Sequence, residues 1–295
     1  MKEKLNKKQI IIIAVAAAIV VAAVVCIFAF GNGGSNSKVP KTTEEIMERA
    51  VEEFEAMESF QLDNKMVMTM ENQGETMTMD VLLTSFYKKD DAIKKAISTI
   101  SIEGLGAYST NYFAEKSGDG YILYSNMEGG EEWTKTTVAT EEELPMGDPQ
   151  AEVLKFLKGV NNYERVGSEK ISDINTVKYQ CVSTPKDMKQ TLEASGILEQ
   201  AGNDGLSEDE LESIYEQMEE MKFVVWIGKE DYLPYKVEMD LGNFITTMSN
   251  FADIDESQKQ SLEMMKGLTM TYTITNYNQL GETALPEGIE GATEA

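Results

Sequence analysis

Histidine is absent from the 295 residues, and with it go the commonest general base and the commonest metal ligand. Ser-His-Asp and Cys-His nucleophile systems and His-based zinc sites are excluded. The remaining residues at suggestive spacing are few. Ser183 and Lys186 have the S-x-x-K spacing of Ser/Lys acyl enzymes, but Pro185 between them marks a strand end where that chemistry needs a helix start. Asp253, Asp255 and Ser257 imitate the opening of a calcium loop. Gln258 then stands where such a loop turns on glycine, and Met264 where it closes with a bidentate glutamate. Glu208, Asp209, Glu210, Glu212, Glu216, Glu219 and Glu220 are what the solvated side of an acidic helix looks like. The sequence therefore predicts no catalytic residue, no metal and no cofactor.

Methionine is the compositional outlier, with 18 in the chain. Met66, Met68, Met70, Met77 and Met79 recur at a spacing of two, and three chemistries fit that pattern. A thioether is a deformable filler for a packed core, and it also suits the wall of a cavity that takes variable acyl chains. Soft sulfur in M-x-M-x-M spacing could bind Cu(I) as well, although such sites usually recruit a histidine. Trp133 and Trp226 lie in strand-like contexts and read as packing anchors.

The elements that must position these residues follow from periodicity. Thr42 and Glu45 have capping-box spacing, and Ile46, Met47, Ala50, Val51, Phe54 and Met57 then share one helical face. From Phe60 the period becomes two. Phe60, Leu62, Met66, Met68 and Met70, then Met77, Met79, Val81 and Leu83 after Gln73-Gly74, predict a long hairpin with one apolar face. A meander follows over 92–102, 107–115, 121–125 and 132–138. Asp148 before Pro149 opens a helix that ends at Gly159. Strands are expected over 163–169, 177–184, 223–228, 235–241 and 268–277, with a short helix over 257–266. Between Lys186 and Met221 a two-helix insertion is predicted; its second helix opens at Ser207 and presents Leu211, Ile214, Tyr215 and Met218. Leu192 supplies an apolar position in the first.

Residues 1–9 form a lysine-rich cytoplasmic tail, and 10–30 are an unbroken apolar run. A helix rising about 1.5 Å per residue needs roughly 20 such residues to cross a bilayer core. The flanking lysines keep the N-terminus inside, which makes 10–30 a signal anchor and puts the rest outside the membrane. Cleavage after Ala29-Phe30-Gly31 would instead release the protein. Lipidation at Cys26 is opposed by the bulky Val25 before it. Residues 31–41 are a Gly/Ser/Asn linker, 42–286 the extracytoplasmic domain, and 287–295 a disordered Gly/Glu/Ala/Thr tail. With 51 acidic against 26 basic residues the formal net charge is −25, which argues against nucleic acid and against docking on anionic lipid. Cys181 is the one cysteine beyond the apolar run, so no disulfide staples the domain.

The phrases 121–135 (YILYSNMEGGEEWTK), 163–179 (YERVGSEKISDINTVKY), 224–239 (VVWIGKEDYLPYKVEM) and 274–286 (ITNYNQLGETALP) resemble those of LolA-like and LppX/LprG-like bacterial lipoproteins, and in particular an uncharacterised Gram-positive branch. The resemblance covers most of 42–286. It implies an α+β domain: a curved antiparallel half-barrel, here of about 10–11 strands, with helices over its concave face and an apolar cavity for acyl chains between them. It further implies a hydrophobic ligand such as a lipid or lipid-linked molecule. A structural or interaction module with a self-filled core is the alternative. Members of that branch are typically lipid-anchored, whereas this sequence has a membrane run in place of a good lipidation site.

Overall fold

The computed structural model describes residues 42–72, 75–127, 130, 132–141, 143–158, 162–184, 220–242 and 264–294. The apolar run 10–30, the linker 31–41 and the insertion with Leu192, Leu211, Ile214, Tyr215 and Met218 lie outside them. Among the described residues no helix is long and apolar enough to cross a membrane.

Helix α1 (Thr43–Glu55) is followed by β1 (Ser59–Asn72), β2 (Glu75–Lys88), β3 (Ile93–Ile102), β4 (Gly106–Ser117), β5 (Gly120–Met127) and β6 (Thr134–Val138). Helix α2 (Pro149–Lys158) precedes β7 (Asn162–Ile171), β8 (Ile174–Ser183), β9 (Met221–Gly228), β10 (Pro234–Asp240), β11 (Met265–Thr275) and β12 (Thr293–Glu294). The twelve strands among the described residues form one open, curved sheet in the order β12-β6-β5-β4-β3-β2-β1-β11-β10-β9-β8-β7. Two meanders, β1 to β6 and β7 to β10, are thus joined where the late strand β11 pairs with β1.

Both helices start as their sequences dictate. The Thr42 hydroxyl accepts from the Glu45 N–H at 3.2 Å while the Glu45 carboxylate accepts from the Thr42 N–H at 3.3 Å, closing the capping box. Asp148 accepts from the N–H groups of Gln150 and Ala151, each at 3.0 Å, and so caps α2. Met47, Ala50 and Phe54 of α1 and Val153 and Leu157 of α2 are buried in the main core. They pack on the face to which β1 contributes Phe60, Leu62, Met66 and Met68.

Three expectations need correction. The tail expected to be disordered over 287–295 is ordered through residue 294, because Ile289 is buried and Thr293–Glu294 pairs parallel with Thr134–Lys135 of β6. An open sheet edge offers unpaired N–H and C=O groups, and the local composition of the tail says nothing of a partner far upstream in sequence. That extra strand brings the described strands to twelve, against the 10–11 expected. The helix expected over 257–266 lies mostly outside the described residues, but Met265 and Lys266 already belong to β11. The alternating Met265, Leu268, Met270 pattern paired with β1 outweighs helix propensity there.

Candidate functional site

Register fixes what shares the concave face. Rung by rung across β2, β1, β11 and β10, Val81, Met66, Met270 and Met239 are neighbours. The next rung holds Met79, Met68 and Leu268, and the last holds Met77, Met70 and Met265. Met66, Met68, Met70, Met79, Met239, Met265 and Met270 are buried, and Met77 is half-buried against them. Eight thioether side chains thus meet in the upper half of the face, the end at which β1 finishes and β2 begins.

The lower half is built differently. Phe60 lies 4.9 Å from Phe54 of α1 and stacks at 4.7 Å on Tyr87, centroid to centroid. Tyr87 donates to the Gln150 side-chain carbonyl at 2.8 Å, and the Gln150 amide donates to the Phe54 carbonyl at 3.0 Å. One residue of α2 therefore ties together α1 and β2. Lys158 pairs with Glu55 at the end of α1, while the far end of α2 reaches the upper rungs, where the Tyr163 hydroxyl donates to the Leu157 carbonyl at 3.0 Å. At the foot of the sheet both helices are thus tied to β1 and β2 by rings and hydrogen bonds.

The boundary between the halves is a buried polar group. Asn64 and Tyr272 face each other across β1 and β11, and the Tyr272 hydroxyl donates to Glu152 of α2 at 2.7 Å. Burial, then the nearby Glu152 charge, pushes the Tyr272 phenol well above its ordinary range, so it remains a proton donor to that carboxylate. Nothing in this group resembles a nucleophile with its base. Cys181 is fully buried, and desolvation raises its thiol to about 12, which leaves it unreactive at neutral pH. Among the described residues no cluster of three or more His, Cys, Asp or Glu side chains could hold a metal ion.

The family match covers residues 42–294. The chain belongs to DUF6612, a family of unknown function. A search of curated proteins gives no match. Among solved structures, this DUF6612 domain is similar to LprF from Mycobacterium bovis, at 12% identity and a TM-score of 0.44 over 83% of this chain and 97% of that one. LppX, a lipoprotein of Mycobacterium tuberculosis, gives 12% identity and a TM-score of 0.39 over 81% and 97%. An outer membrane lipoprotein-sorting protein domain from Vibrio parahaemolyticus gives 14% and 0.27 over 83% and 94%.

The apolar residues of the hairpin and of the 186–221 insertion are the ligand-binding candidates of the sequence, and those of the hairpin separate in the DUF6612 domain. Phe60, Leu62, Met66, Met68, Met70 and Met79 are buried in the main core, and Met77 and Val81 pack against it half-buried. Leu83 turns instead to a second cluster made by Ala96, Ala114, Val138, Leu144 and Met146, under the segment between β6 and α2. The sequence reading missed Met239, Met265 and Met270. The alternation of Leu268, Met270, Tyr272 and Ile274 with threonines was the available signal, but only pairing across β1 joins it to the hairpin. The tryptophans are packing anchors on the opposite face. Trp226 donates to Glu169 at 3.0 Å beneath Lys178 and Lys236, and Trp133 meets Phe113 edge-on at 5.8 Å.

Proposed function

We propose that this domain is a non-catalytic, extracytoplasmic binding module for an apolar chain such as a lipid tail, held at the methionine-lined upper half of the concave face and tethered to the membrane by residues 10–30. The observation that supports this most directly is the composition of the three upper rungs. Eight unbranched, polarizable side chains meet there with no charged group among them, while aromatic rings and directional hydrogen bonds hold the helices at the other end. Thioethers repack around chains of different length and unsaturation at low cost. A face meant only to be filled by its own protein gains more from the shape-specific packing seen around Phe60. The acidic exterior suits solubility outside the membrane and gives no attraction to nucleic acid.

A fluorescent fatty acid titrated against the detergent-solubilised full chain tests the assignment. Binding should be saturable, and it should weaken at least about tenfold when Met68 and Met79 are both replaced by Trp, which fills the space between adjacent strands. Identical binding by the double variant would place the ligand elsewhere. Native mass spectrometry of chain extracted gently from its host separates this reading from a self-filled structural module. Co-purifying lipid supports the carrier, whereas the bare mass together with no fatty-acid binding supports the module.

A further inference from the structure

Large apolar side chains exposed among the described residues are few, and three of them gather at one end of the sheet. Leu105 is 47% exposed, Tyr108 55% and Met127 60%. Leu105 occupies the β3–β4 turn between Gly104 and Gly106, whose φ values of +79° and +100° carry the chain sharply round and leave Leu105 projecting from the tip. Tyr108 pairs with Ile100, and Met127 pairs with Thr110, so both lie on the concave face. They continue it outward from Ile100 and Ile102, which are half-buried against the main core. A strip of apolar side chains thus runs from the methionine rungs to the solvent at the upper end.

The N-terminal connection leaves from the first turn of α1, away from the foot of the sheet. The last turn of α1 lies at the bottom of the sheet, where the N–H of Glu58 donates to Asn278 beyond the foot of β11. Its first turn is the other end of a 13-residue helix, about 18 Å from that foot. From Thr42 the linker 31–41 can extend to at most ~40 Å before it meets the apolar run.

We infer that the upper end of the sheet faces the bilayer, with Leu105, Tyr108 and Met127 resting in the lipid interface so that the concave strip opens onto the membrane. The inference rests on the tether proposed above. A tyrosine with its ring in an apolar layer and its hydroxyl at the headgroups is suited to that boundary. Three side chains alone make a weak, reversible contact, and a short tether makes it effective by raising local concentration. Glu71, Glu75 and Glu103 are exposed around the same rim, so the matching surface is zwitterionic, and added anionic lipid weakens the contact.

Nitroxide labels on the full chain, with Cys26→Ser to remove the competing thiol, test this in phosphatidylcholine vesicles. Leu105→Cys and Met127→Cys report the rim, Asp119→Cys the opposite end and Val21→Cys the apolar run. The ratio of oxygen to nickel-complex accessibility should be at least about threefold higher at 105 and 127 than at 119, and should fall at 127 when Leu105→Ser and Tyr108→Ser are added. Water-like ratios at 105 and 127 with Val21→Cys deep in hydrocarbon overturn the orientation and leave the anchor standing. A water-like ratio at 21 as well overturns both.

Discussion

The two halves of the concave face are cut from the same strands and lie one above the other, yet they are held by different physics. Below Asn64 and Tyr272, rings meet at 4.7 and 4.9 Å and a single glutamine bridges α2, α1 and β2. Above them, methionine side chains from β1, β2, β10 and β11 share neighbouring rungs. Directional contacts fix one arrangement, whereas dispersion among flexible side chains tolerates several of similar energy. Under the proposed function, the directional end keeps the fold in place while the buried methionine rungs repack around a bound chain.

The largest break in this comparison is expected at its most rigid point. Phe60→Ala removes the ring between Phe54 and Tyr87 and should cost about 3–5 kcal/mol in urea unfolding. A loss no larger than that of an upper methionine would erase the distinction. Tyr272→Phe should cost about 1–3 kcal/mol, because Glu152 loses its donor where water is scarce. Met68→Leu conserves volume and should cost less than about 1.5 kcal/mol, while narrowing the range of acyl lengths bound in a displacement series. Equal affinity for every length in both proteins would count against a deformable wall. Thr42→Ala removes the hydroxyl that caps α1 and should cost about 1 kcal/mol, read as a shift in thermal midpoint.

The smallest effect is chemical. Burial holds the Cys181 thiol near 12, so in a Cys26→Ser chain a disulfide reagent at pH 8 should react only on unfolding. Fast labelling of folded protein would mean that the core around Phe223 and Tyr163, its pairing partners, opens readily. Since the raised value belongs to the folded state, the protonated thiol is favoured by folding. Its contribution to stability is intact below the unfolded thiol's ordinary value and is lost as pH climbs toward 12.

Much of this was legible from local spacing. The capping box at Thr42 and Glu45, the Asp148-Pro149 helix start and the hairpin from Phe60 to Leu83 are short-range signals, because a period of two or 3.6 is set by residues that touch through the backbone. The tail at Ile289 to Glu294 was not legible, since its partner strand β6 lies far away in sequence. Leu83 was grouped with the methionines by alternation, yet the segment carrying Leu144 and Met146 covers it. The methionine rungs were half visible, as two strands of four.

The sequence by itself determined that no histidine chemistry operates, that an apolar run precedes an acidic domain, and that β1 and β2 carry one greasy face each. Only the tertiary structure decided that β11 returns to lie beside β1, bringing Met239, Met265 and Met270 to Met66, Met68 and Met70, and that Asn64 finds Tyr272 and, through it, Glu152. The reason is that strand pairing is a contest among many backbone partners of nearly equal intrinsic energy. Its winner depends on which long-range register buries both faces' apolar side chains at once.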